Sequence, residues 1–100
     1  MSVPQREIRQ ILGDGGLVLG TAEYVGGKLD GCSKLYSGAG TLIQQATYSA
    51  GELHGQYRSW WDTGRLKEEG AYFRGSRVGK YCWYGDDGTL VQEHDYGSAL

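Results

Sequence analysis

Proline is nearly missing from this 100-residue chain, occurring once, and cysteine occurs only twice. A single Pro excludes a proline-rich linker, and the 18 glycines show no Gly-X-Y triplet, which excludes a collagen-like rod. No apolar stretch approaches the ~18 residues a membrane helix needs. The N-terminus, MSVPQREIRQ, also lacks the apolar run of a signal peptide. Basic charge is not in excess: 10 Lys and Arg against 12 Asp and Glu leave a net charge of -2. Such a surface carries no field that gathers nucleic acid or anionic lipid. These absences together predict a cytoplasmic protein with neither nucleic acid nor membrane as its partner.

Catalytic and metal-binding patterns are scarce as well. His54 and His94 are the only histidines, and neither has a Cys, Ser or Asp partner at a recognised spacing. Asp86, Asp87 and Gly88 lack the alternating acidic ligands and the later Glu of a calcium loop. The run Gly13 to Gly16 (GDGG) is followed by a strand pattern, not by a helix N-terminus or a Gly-Lys-Ser, so it is a turn and not a phosphate cradle. No catalytic residue, cofactor or metal ligand is assigned, and an enzyme is not expected. Helical periodicity never extends beyond a turn.

What the chain does have is one phrase written three times. Residues 22–45, 46–69 and 70–93 align without a gap at a period of 24 residues. Tyr24, Tyr48 and Tyr72 fall in one column, as do Gly27, Gly51 and Gly75. Further columns are Gly31, Gly55 and Gly79; Tyr36, Trp60 and Tyr84; Gly40, Gly64 and Gly88; and Leu42, Leu66 and Leu90. A period of this length marks one supersecondary unit stacked on itself. Residues 6–21 make a half-copy before it, preceded by a loose arm at Met1 to Gln5, and 94–100 begin a fourth copy with Tyr96 in the tyrosine column.

Within each copy, two segments alternate with two turn signals. Leu66, Glu68, Gly70 and Tyr72 share one face of a period-2 pattern, and Lys67, Glu69, Ala71 and Phe73 share the other. The signals SGAG, DTG and DDG suit hairpins with a Gly in the left-handed region. GGKLDG, AGELHG and RGSRVG, each with two glycines four residues apart, also read as turns. Strands are expected near 6–12, 17–25, 32–37, 41–49, 56–61, 65–73, 80–84 and 89–96, each antiparallel to its neighbours because every connection is short. The fold class is all-β, an elongated twisted antiparallel meander of 24-residue hairpin repeats forming one domain over 1–100, filled by the Tyr, Trp and Leu columns. Its open edges admit homo-oligomers. At ~4.8 Å per strand, Cys32 and Cys82 stand on the order of 20 Å apart, so both are free thiols.

The phrase GELHGQYRSWWDTGRLKEEG over residues 51–70 resembles the MORN repeat, and more closely its bacterial variant found in antitoxin or immunity proteins of toxin-antitoxin systems. The resemblance extends over about residues 16–96. Arg77 departs from it where the other copies have Leu29 and Leu53, and so does Ser33 where they have Tyr57 and Tyr81. The resemblance implies a small β-rich protein that neutralises a cognate toxin by binding it and occluding its active site. The alternative it implies is a MORN-type scaffold or lipid-surface module.

Positions filled alike in every copy serve the fold, so residues unique to one copy are free to meet a partner. Trp61 stands where the other copies have Ser37 and Gly85. It is expected either as an exposed anchor near Arg58 or packed against Phe73 or Tyr57, since Trp, Tyr and Arg dominate interface hot spots. After Lys80 no Lys or Arg follows, whereas Asp86, Asp87, Glu93 and Asp95 do. This acidic rim either keeps an edge strand soluble or meets a basic cleft on a toxin that acts on nucleic acid. The candidate partner-binding residues are therefore Arg58, Trp61, Phe73, Asp86, Asp87, Glu93 and Asp95.

Overall fold

The computed structural model describes residues 5–98. Residues 1–4 of the expected N-terminal arm and 99–100 of the partial fourth copy lie outside them. Strands β1 (Arg6–Leu12), β2 (Val18–Val25), β3 (Lys28–Tyr36), β4 (Leu42–Ser49), β5 (Glu52–Trp60), β6 (Leu66–Phe73), β7 (Ser76–Tyr84) and β8 (Leu90–Asp95) lie side by side in chain order. They form one antiparallel sheet, as the repeat predicts. The molecule measures 49 × 43 × 12 Å. Packed sheets stand ~10 Å apart, so a slab this thin is a single layer.

Two kinds of hairpin alternate. At Gly13, Ser37, Trp61 and Gly85 the chain leaves a strand through a tight loop. In the third loop the Trp61 N–H donates to the Arg65 carbonyl at 2.8 Å and the Gly64 N–H to the Trp61 carbonyl at 2.8 Å. Gly64 has φ +90°, the left-handed residue such a loop requires. The GDGG run adopts the same form, with a single 3-10 turn at Asp14–Gly16.

The other hairpins correct the expected strand starts. GGKLDG, AGELHG and RGSRVG are not turns throughout: the loop is only two residues long, as Val25 pairs with Lys28, Ser49 with Glu52 and Phe73 with Ser76. In the middle copy both loop residues have positive φ, Ala50 at 49° and Gly51 at 91°, as a type I′ turn demands. The second glycine of each pair lies inside a strand. Gly55, with φ 109°, sits where the pairing jumps from Ala46↔Tyr57 to Tyr48↔Leu53. Thr47 therefore faces three residues, a bulge that a left-handed glycine permits. The jump is of two residues, so side chains beyond it keep their faces.

The bulged segment also braces the next hairpin. Asp30 Oδ2 accepts the Ala50 N–H at 3.1 Å, and one period later His54 Nδ1 accepts the Arg74 N–H at 3.4 Å. The Ala50 amide and the Arg6 guanidinium hold the Asp30 carboxyl below its ordinary range. His54 is thus a turn brace, and its ring also lies 4.9 Å from that of Phe73.

With no second layer, burial must come from side chains lying over one another on one face. The row Ala22–Ser33–Ala46–Tyr57–Gly70 runs across neighbouring strands, and Tyr81 and His94 continue it. Ala22, Ala46 and Tyr81 are the buried hydrophobic residues among those described. Large rings lie over small neighbours: a Cβ on Gly70 would fall within the Tyr81 ring. Around Tyr81 the rings meet edge to face, Tyr72 at 6.1 Å and Tyr96 at 6.2 Å, with Trp83 tilted at 4.7 Å. The filling expected from the Tyr36, Trp60 and Tyr84 column is only half-buried. The tightest packing instead uses the column of Ser33, Tyr57 and Tyr81, whose first member is too small to take part.

Two outcomes test this core. Gly70→Ala cannot be accommodated without displacing the Tyr81 ring, and should cost about 3 kcal/mol in urea unfolding followed by Trp fluorescence. Burial, aided by Glu68, raises the hydroxyl pKa of Tyr57 and Tyr81 above the ordinary 10.0. Both hydroxyls hold their protons longer in the folded chain than in the unfolded one. The stability this gives is complete below pH 10 and is lost as pH rises above it, at up to about 1.4 kcal/mol per pH unit for each tyrosine. Urea midpoints measured from pH 8 upward should be level to about pH 10 and fall beyond it, and the fall should be shallower in Tyr81→Phe.

Candidate protein-binding groove

Trp61 is the first residue after β5 and opens the β5–β6 turn. Its indole N–H reaches across to β7 and donates to the Tyr84 carbonyl at 3.2 Å, while the Lys67 ammonium lies 4.6 Å above its ring. The side chain is half-buried and forms one wall of a groove of about 640 Å³. Tyr57, Ser59, Gln44 and Glu68 also line that groove, with Asp62 and Asp86.

The register explains the floor. Gln44, Ser59 and Glu68 stand opposite one another on β4, β5 and β6. Ser59 is 6% exposed, and its hydroxyl donates to Glu68 Oε2 at 2.9 Å, while the Tyr81 hydroxyl donates to Oε1 at 3.3 Å. Two neutral donors orient the carboxylate without cancelling its charge. Three carboxylates and one ammonium line the groove, and the ammonium is stacked on Trp61. A fixed carboxylate among aromatic side chains suits a cationic side chain, through charge-assisted hydrogen bonding. No three His, Cys, Asp or Glu side chains among the described residues gather as a metal site.

The candidate residues named from sequence do not converge on one place. Trp61 and Asp86 share the groove, and so does Tyr57, one of the two packing partners expected for Trp61. Phe73, the other, lies at the far end of β6, roughly 25 Å of strand away, beneath the Arg74 guanidinium at 5.4 Å. Arg58 turns to the opposite face and pairs with Glu69 at 2.9 Å. The two side chains are 46% and 42% exposed, so the pair adds at most ~1 kcal/mol. It belongs to a polar row, Lys34–Gln45–Arg58–Glu69–Cys82–Glu93, that crosses the second face. Glu93 is matched there by Lys80 at 3.3 Å.

The acidic rim also divides. Asp87 folds onto its own turn and accepts the Thr89 hydroxyl at 2.7 Å and the Thr89 N–H at 3.0 Å. These bonds hold its carboxyl below the ordinary range. Asp95 accepts the Gly97 N–H at 2.8 Å at the other end of β8. Asp86 alone of the four reaches the groove. Glu68, Ser59, Tyr57 and Asp62 complete it; the sequence signal that could have found them is the pairing of a strand glutamate with a serine nine positions before it, which becomes visible only once the register is known.

Among the described residues no helix is long and apolar enough to cross a membrane. Among curated proteins and solved structures, nothing matches the chain. Residues 53–73 match the family described as the MORN repeat variant, a stretch from Leu53 in β5 through the Trp61 turn to Phe73 at the end of β6, narrower than the span over which the phrase recurs. Over residues 53–73, the stretch that holds the groove's turn, the chain is thus similar to the MORN repeat variant.

Proposed function

We propose that this protein is an immunity protein: it binds a cognate bacterial toxin and occludes its active site, using the Trp61 groove to receive a basic side chain at the rim of that site. The observation that carries this reading is the Glu68 carboxylate, fixed by the Ser59 and Tyr81 hydroxyls in a groove that Trp61, Tyr57, Asp62 and Asp86 also line. A toxin acting on nucleic acid presents Arg and Lys around its catalytic cleft, and a negative groove both steers the encounter and competes with phosphate for those residues. The match to the MORN repeat variant is the observation that favours a scaffold or lipid-surface module instead, and the carboxylates of the groove weigh against anionic lipid.

Co-expression with the product of the neighbouring reading frame tests the reading. Growth should be restored and a complex of the two chains recovered. Failure to protect, together with sedimentation on vesicles containing phosphatidylserine, would replace it with the lipid-surface module. In the complex, Trp61→Ala should raise Kd about 30-fold or more, equivalent to about 2 kcal/mol, with the circular dichroism of the free protein unchanged. Asp62→Lys with Asp86→Lys should chiefly slow association, and the difference from wild type should shrink as salt is added.

A further inference from the structure

The strand edges carry a second feature, separate from the groove. Exposed large apolar side chains lie toward the two ends of the sheet: Ile8, Ile11 and Leu12 on β1, Leu17 and Val18 in and after the first hairpin, and Leu90, Val91 and Tyr96 at or beside β8. Ile8 is 72% and Val91 69% exposed, and no large apolar residue between 19 and 89 is comparably bare. Neither β1 nor β8 contains a proline, so neither edge is blocked against pairing.

The repeat specifies what fits there. β1 stands one period before β3 and is the same kind of strand as β3, β5 and β7, while β8 stands one period after β6 and is the same kind as β2, β4 and β6. Inside the sheet every strand of the second kind pairs onward with one of the first: β2 with β3, β4 with β5 and β6 with β7. Among the described residues β8 therefore lacks the neighbour that β1 resembles. In the β4–β5 junction Gln44 faces Ser59, Gln45 faces Arg58 and Ala46 faces Tyr57. Carried two periods outward on both sides, the same register sets Gln92 opposite Ile11, Glu93 opposite Gln10 and His94 opposite Arg9, with Val91 meeting Leu12. Charge does not oppose it: β1 carries Arg6, Glu7 and Arg9 and β8 carries Glu93 and Asp95, and in this register no two like charges stand opposite each other. Pairing β8 with β8 would bring like carboxylates together, and pairing β1 with β1 would double the arginines.

We propose that β8 of one copy pairs antiparallel with β1 of a second copy in this register, extending the sheet head to tail. Such a contact uses two different surfaces, so the assembly always keeps one free edge of each kind and grows by addition.

Sedimentation equilibrium tests it. The wild-type mass should rise above 11.0 kDa as concentration increases, and a mass constant up to the solubility limit would overturn the proposal. Val91→Lys spoils only the β8 edge and Leu12→Lys only the β1 edge, both at exposed positions where near-ultraviolet circular dichroism should remain that of the wild type. Each variant alone should stay monomeric, and an equimolar mixture should form a dimer and stop there. Dimerisation of Leu12→Lys by itself would mean β8 pairs with β8, and dimerisation of Val91→Lys by itself would mean β1 pairs with β1; either overturns the head-to-tail contact. Growth block or toxin binding is not read in this experiment, so its failure leaves the groove unaffected.

Discussion

The contact on which most of this structure depends is a tyrosine ring lying on a glycine. A slab 12 Å thick has no opposing layer, so a side chain can leave water only beneath a neighbour on its own face. Ala46 and Gly70 are small beside the rings of Tyr57 and Tyr81, and the Tyr81 ring fills the space a Gly70 side chain would need. Burying an aromatic ring is worth a few kcal/mol at ~25 cal/mol per Å² of apolar surface. In a fold with so little buried area, that contact outweighs the surface ion pairs, which are exposed and worth little each.

The contact also positions the groove. Tyr81 is held by Gly70 beneath it and by Tyr72, Tyr96 and Trp83 around it, so its hydroxyl has a fixed place from which to orient Glu68. Arg77 closes the cluster from above, its guanidinium 4.7 Å from the Tyr81 ring and hydrogen-bonded to the hydroxyls of Tyr72 and Tyr96. An arginine can bridge three rings where a leucine could cover one; Leu53 stands with the equivalent tyrosines Tyr48, Tyr57 and Tyr72, so nothing in the structure explains why only the third copy departs from leucine. The first half of the sheet, with Ser33 in place of a tyrosine, has no equivalent cluster and no equivalent groove.

Much of this was legible in the sequence. The period of 24, the tyrosine and glycine columns and the alternation over Leu66 to Phe73 named the strands, their order and their faces, because each depends on local spacing. The bulges were not legible, since Gly27 and Gly31 are both left-handed glycines and a turn and a bulge make the same demand of a residue. Glu68 was invisible for another reason. Read locally it is a solvated strand carboxylate, and it becomes a groove floor only because the register brings Ser59 and Tyr81 to it. Phe73 was chosen for its type and lies at the wrong end of its strand; Arg58 was chosen for its nearness in sequence to Trp61 and points to the other face.

Trp61 shows how a repeat acquires a site without loss of fold. Its column holds Gly13, Ser37 and Gly85, and the turn asks of it only an N–H and a carbonyl, both of which are backbone. Any side chain is therefore tolerated, and a large one must find room beside the sheet. It finds it toward β7, where the indole meets the carbonyl of Tyr84 and the next residue, Gly85, has no side chain to obstruct it. A tryptophan in the fourth position of the column would lack a following hairpin among the described residues, and one in the second would meet Trp61 in place of a glycine. A side chain in the first position would meet Leu19, 2.8 Å from a Cβ on Gly13, which leaves the third position to carry a single large ring at a turn.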